Sequence, residues 1–180
     1  MRMFVALLRG INLGRKNKIP MGELKSSLAS LGYEDVVTYI QSGNVVFRSP
    51  TDDVGDIAGA IEREIAEAFG VSAAVLLRTP AELKAIARRN PFVGGEADLS
   101  KLHVVFLNDA PTADAVAQLD PERSPPDEFS LRGREIYLHL PKGSARSKLT
   151  VDYFERRLAV VATARNWKTL TKLLALTQSA

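Results

Sequence analysis

Between Met3 and Leu77 the apolar residues change spacing in a set order, and that order limits the fold more than any single motif. Met3 to Leu8 is a continuous apolar run of strand length. Met21, Leu24, Leu28 and Leu31 then recur at three- and four-residue steps, the stripe of a helix, with Pro20 at its start and Gly32 after it. Val36, Val37, Tyr39 and Ile40 read as a second strand and Val45-Val46-Phe47 as a third, with Ser42-Gly43-Asn44 turning between them. Asp52 and Asp53 stand at the positive end of a second helix whose buried side is Ile57, Ile61, Ile65 and Ala68, and Gly70 stops it. Val71 to Leu77 is a fourth strand. Strand, helix, strand, strand, helix, strand is the split βαβ, ferredoxin-like order: an antiparallel sheet with two helices on one face.

Thr79-Pro80 opens a short helix with Leu83, Ile86 and Ala87 inward, and residues 91–100, with Pro91, Gly94 and Gly95, read as a connection. Weaker versions of the same patterns follow. They are a strand at 101–107, a short helix at 112–119, a proline-rich loop at 121–127, and strands at 128–131 and 135–140 around Arg132-Gly133-Arg134. A basic loop at 142–148, a helix at 149–158, a short strand at Val160-Val161 and a last helix at 166–176 complete the chain. The expected fold is α+β, two ferredoxin-like (split βαβ) subdomains with antiparallel sheets. Residues 1–78 form the first, 79–100 a connecting helix and loop, and 101–180 a second α/β subdomain, a degenerate repeat.

Charge is distributed unevenly. Residues 1–48 hold seven basic and three acidic side chains (+4), residues 49–131 seven and fifteen (−8), and residues 132–180 ten and three (+7). Two positive ends favour phosphates, nucleic acid or another anion. The absence of cysteine removes disulfide and thiolate chemistry, and two distant histidines argue against a structural zinc site, so no metal is expected. The N-terminus lacks signal-peptide order, and no apolar run approaches the roughly 20 residues of a membrane span. A cytoplasmic protein without a membrane partner is the expectation.

Three polar stretches carry the candidate ligand-binding residues. In the loop after the first strand, Arg9, Asn12, Lys16 and Lys18 offer donors, and Gly10 and Gly14 let backbone N–H groups turn toward an anion. Neither GxxxxGK[ST] nor GxGxxG is present. Asn12 either closes its own turn or touches a ligand. In the hairpin, Gln41, Ser42 and Asn44 either shape a tight turn with Gly43 or orient a polar ligand. The split βαβ order is expected to put this hairpin and the first loop at opposite ends of the sheet, as separate sites. In the third stretch Arg165, Asn166, Lys168 and Lys172 surround the start of the last helix. Asn166 is its candidate N-cap, Trp167 a core anchor, and Arg165 an anion ligand beside free N–H groups. Lys148, with Lys142, Arg146, Ser144 and Ser147, can complete a sulfate or phosphate site bridging that loop and the helix start.

LLRGIN at 7–12, Pro20-Met21 with Leu24, TYIQSGNVVF at 38–47 and ATARNWKTLTKLL at 162–174 resemble a widespread bacterial family labelled only as a domain of unknown function. The family usually has LLRGINVGG and a pattern near TTRNWNT; here Leu13, Arg15, Ala162, Ala164 and Lys168 depart from it. The resemblance implies an α/β fold built of two ferredoxin-like parts and implies no activity. Arg15 and Lys168 add positive charge, against any site that needs a neutral surface there.

No Ser–His–Asp order or nucleophile elbow is present, and His103 and His139 alternate with apolar neighbours in strands. No cofactor is indicated. The reading that follows is a binding module for a phosphate-bearing small molecule or nucleic acid. The alternatives are an enzyme acting on a phosphorylated substrate, and a structural or protein-interaction module that can form a homodimer.

Overall fold

The computed structural model describes residues 1–95 and 97–178. The chain divides into two compact units, one of Met1–Lys84 with the C-terminal residues from Leu173, the other of Ala85–Lys172. The first unit runs β1 (Arg2–Leu8), α1 (Met21–Ser30), β2 (Glu34–Tyr39), β3 (Asn44–Ser49), α2 (Val54–Phe69) and β4 (Val75–Arg78). Its sheet order is β2-β3-β1-β4, with every pairing antiparallel. After α3 (Pro80–Arg88), the second unit runs β5 (Leu102–Leu107), α4 (Ala113–Val116), β6 (Glu128–Arg132), β7 (Glu135–His139), α5 (Val151–Leu158) and β8 (Ala162–Asn166). Its sheet order, β6-β7-β5-β8, is the same one shifted along the chain, and α6 (Trp167–Gln178) follows. The α+β fold with two antiparallel, ferredoxin-like sheets is therefore as expected.

Central β1 shows why its sequence is uniformly apolar. Phe4, Ala6 and Leu8 face the helices, where they meet Leu24 and Leu28 of α1 and Ile57, Ile61 and Ile65 of α2. Val5 and Leu7 point to the other face and are equally buried. An antiparallel sheet with one wet face would alternate polar and apolar, so a continuous run marks burial on both sides. Each isoleucine of α2 contributes about 1.5–3 kcal/mol by leaving water. The caps match the sequence signals: the Asp53 carboxylate accepts from Asp56 N–H at 2.9 Å, and Gly70 closes α2 at φ 64°. Thr79 and Glu82 bond each other's backbone N–H groups at 3.2 and 2.7 Å, a capping box at the start of α3.

In the second unit Val105, Leu107, Ile136 and Leu138 pack with Phe154 and Leu158 of α5. Tyr137 lies on the other face, and its hydroxyl donates to the Ile86 carbonyl at 2.7 Å. Burial pushes that phenol up to about 12.

The last strand occupies 162–166 rather than 160–161. Ala162, Thr163, Ala164 and Arg165 carry no strand-like apolar run, and pairing with β5 overrides their weak propensity. The helix expected at 112–119 shrinks to one turn, Ala113–Val116, capped by Thr112. Asn44 is not a turn residue: it opens β3, pairs with Tyr39 and is wholly buried.

His103 on β5 is mostly buried, its Nδ1 has no hydrogen-bond partner, and burial lowers its pKa below the ordinary value. A depressed histidine contributes stability above the unfolded-state pKa of about 6.5 and loses it as pH falls from there through the lower folded-state pKa. Melting temperatures measured between pH 7.5 and 5.5 should therefore drop, and His103→Gln should shrink the drop. An unchanged pH profile in His103→Gln would refute this assignment.

Candidate functional site

Because β1 and β2 run parallel in this sheet order, the β1–α1 loop and the β2–β3 hairpin meet at one end of it, not at opposite ends. Leu8 N–H donates to the Gly43 carbonyl at 2.8 Å, and Arg9 N–H to the Ala74 carbonyl at 2.9 Å. Three chain segments thus converge beyond the end of β1.

Asn12 is the hub of this apex. Its amide nitrogen donates to the Ile19 carbonyl at 3.0 Å and to the Gln41 carbonyl at 2.8 Å. Its side-chain oxygen accepts from Ile19 N–H at 2.8 Å. The backbone joins in: Asn12 N–H donates to the Asn17 carbonyl at 2.9 Å, and the Asn17 amide returns a bond to the Gly10 carbonyl at 3.0 Å. Asn12 and Asn17 both sit at positive φ, 53° and 51°, which asparagine tolerates better than most residues. Of the two readings of Asn12, the side chain that closes its own loop is the one realised. Anchored apolar residues, Ile11 and Ile19, hold the loop's base in the core, while 13–18 are exposed.

Gly43 makes the convergence possible. At φ 80° it suits glycine, and a Cβ there would lie 2.7 Å from Leu8 Cβ and 2.8 Å from Ile11 Cδ1. The buried Asn44 amide donates to the Tyr39 carbonyl at 3.0 Å and the Ser42 hydroxyl at 2.9 Å, fixing the hairpin from inside. Asn12, Ser42 and Asn44 therefore build the apex, and Gln41 presents an exposed side chain while its carbonyl receives Asn12. Around this frame stand half-buried Arg9 and exposed Arg15, Lys16 and Lys18, with no acidic residue between positions 9 and 20.

The sequence reading missed two residues here. Leu13 is 67 % exposed at the loop tip, and Ile40 is 48 % exposed at φ 49°. A β-branched residue at positive φ is an outlier among L residues. Nothing in strand-like periodicity distinguishes Ile40 from a buried strand end.

The third polar stretch is rearranged. Arg165 does not lie at the helix start but in β8, 6 % exposed, where Nη1 donates to Thr163 Oγ1 and the Ala164 carbonyl, each at 2.8 Å. Burial lowers its pKa to about 10. Asn166 is the N-cap expected, its Oδ1 accepting Thr169 N–H at 2.8 Å, and Trp167 is buried. Lys168 and Lys172 are exposed on α6. In the basic loop Ser147 Oγ accepts Leu149 N–H at 3.0 Å, and Lys148 is exposed with its backbone held by Ser124 and Arg123. The structure thus withdraws Arg165 from the bridging anion site expected at this end, because its strand position turns the side chain into a buried face.

A histidine–carboxylate pair lies in the second unit. His139 Nδ1 is 3.2 Å from Glu128 Oε1 and its ring is 5.8 Å from that of Phe92. Beside it runs an open groove of about 480 Å³ lined by Ala97, Asp98, Lys101, His139 and Pro141.

Two units of one strand order, each a split βαβ sheet, define an α+β protein with two ferredoxin-like sheets, and the Asn12 apex is a feature of the first unit. The family described as "protein of unknown function (DUF1697)" matches residues 1–137, and the chain belongs to it. A solved structure, that of the conserved bacterial protein SP0830 from Streptococcus pneumoniae, is similar over 99 % of both chains with 25 % identity and a TM-score of 0.77. A comparison with curated proteins returned no match. Among the described residues no helix is long and apolar enough to cross a membrane.

Two substitutions test the frame. Asn12→Ala removes both polar ends of the hub and strands the Ile19 backbone, and should cost about 2–3 kcal/mol by urea titration. Ile40→Asn relieves an unfavourable φ and should instead stabilise by roughly 1 kcal/mol. A neutral Asn12→Ala would mean the loop is held by its backbone alone.

Proposed function

We propose that this protein binds a phosphate-bearing anion, a small molecule or nucleic acid, at the apex of the first unit. One observation carries the reading: two motifs far apart in sequence are hydrogen-bonded into a single rigid platform, and that platform is ringed by Arg9, Arg15, Lys16 and Lys18 without a carboxylate among residues 9–20. A fixed frame lowers the ordering cost of binding, and one-signed charge raises the local concentration of anions.

The second unit supplies an internal reference. There Leu107 N–H donates to the Arg134 carbonyl at 2.9 Å and Asn108 N–H to the Val161 carbonyl at 3.0 Å, the same pattern as Leu8 and Arg9. Yet its strand-to-helix connection is only residues 108–112, against 9–20 in the first. The fold closes with the shorter connection, so the longer basic loop answers a demand other than folding. Lys148, Lys168 and Lys172 are exposed cations of the second unit, taken by itself.

An enzymatic reading rests on the other cluster. A carboxylate-oriented imidazole beside Lys101 can take a proton from a substrate whose anionic group the lysine holds.

A thermal-shift panel of nucleotides, sugar phosphates, sulfate and short nucleic acids at two salt concentrations tests the proposal. Stabilisation by one compact phosphate ligand or by nucleic acid, reduced in Lys16→Ala and Arg15→Ala and weakened by salt, is expected. No response to any member of the panel overturns it.

A further inference from the structure

We propose that the apex docks on duplex nucleic acid, with Arg15, Lys16 and Lys18 on backbone phosphates and Leu13 inserted as an apolar wedge at a base step. The inference rests on the anion-binding reading and names its ligand class.

The apolar residues at the apex carry it. Leu13, at 67 % exposure, buries little and so adds little to the fold. Ile40, at 48 %, holds an unfavourable φ that glycine or asparagine would hold without strain. Leu13 and Ile40 are the chain neighbours of Asn12 and Gln41, which the 2.8 Å bond joins, so the backbone at both is anchored to the same joint. A single exposed apolar residue is ordinary, but Leu13, the most exposed large apolar residue described, stands on a rigid basic loop and gives that loop apolar as well as cationic contact area.

The charge and the side-chain types choose among surfaces. A protein partner presents both signs, whereas residues 9–20 offer positive charge only. Small ligands need concave, mostly enclosed sites, and residues 13–18 are all exposed. Unpaired bases are held by stacking on aromatic rings, and residues 9–20 contain none. Proteins that kink a duplex use another combination, arginine and lysine on the phosphates with an aliphatic wedge between base pairs. Leu13 followed by Gly14-Arg15-Lys16 and Lys18 on a locked loop has that combination. A sequence pI of about 9.3 agrees with a polyanionic partner.

The experiment is fluorescence anisotropy of the full chain with a labelled 20-base-pair duplex, its single strand and inorganic phosphate as competitor, over a salt series. Three phosphate contacts predict a log–log salt slope of about −2 to −3, and Lys16→Ala should reduce it by about one. Leu13→Ser should weaken duplex binding about 10-fold at unchanged slope and unchanged melting temperature. Placing one mismatch in the duplex should tighten the wild type and not Leu13→Ser, because a mismatch is cheaper to unstack. Equal duplex affinity of Leu13→Ser and wild type overturns the wedge. Binding of single strand or phosphate as tight as duplex overturns the duplex assignment while the anion reading stands. Absence of any binding, together with a silent thermal-shift panel, overturns both.

Discussion

Burial of both faces of the central strands β1 and β5 is the constraint on which the rest of the structure depends. β1 lies between β3 and β4, and β5 between β7 and β8, so neither central strand has a wet side. Polar groups that enter such faces must be bonded internally. Arg78 and Arg165 show the consequence. Each lies at or next to the end of an edge strand, each is almost wholly buried, and each donates Nη1 to the carbonyl of the residue before it at 2.8 Å. A matching device ties helix to edge strand: Glu62 of α2 accepts Val75 N–H at 2.9 Å, and Glu155 of α5 accepts Ala162 N–H at 2.8 Å. The two units thus repeat hydrogen bonds as well as strand order, although their sequences do not visibly repeat.

With the sheet geometry fixed, the connection that leaves β1 is a place where the first unit departs from its counterpart. A shared backbone pattern, Leu8 with Gly43 and Leu107 with Arg134, closes both. At this connection only the first is long, and its loop commits two asparagine side chains and four positive-φ positions, Gly10, Asn12, Gly14 and Asn17, to holding its shape. Rigidity of this kind does not follow from the core, which already holds Ile11 and Ile19. It sets charged and apolar side chains at fixed positions outside the core, which is what a recognition surface needs.

Parts of this were legible in the sequence. The strand–helix order of residues 3–77, the caps at Asp53, Gly70 and Thr79, and the N-cap role of Asn166 follow from side-chain spacing and local hydrogen bonding, which nearby residues determine. β8 was illegible because Ala162, Thr163 and Ala164 become a strand through pairing with β5 rather than through propensity. Arg165 looked like a surface cation for the same reason: without the strand, the face it points to is unknown.

The sequence by itself determined the fold class, the positive charge of the loop from Arg9 to Lys18, and the residues able to turn tightly there. These are properties of composition and of neighbours within a few positions. Tertiary structure alone decided that Gln41 and Asn12 meet, that Asn12 and Asn44 serve the frame, that Arg165 is withdrawn from solvent, and that Leu13 and Ile40 each stand exposed. Each of those depends on where strands pair and which side-chain contacts that pairing brings together, and both are set over long range rather than by any local pattern.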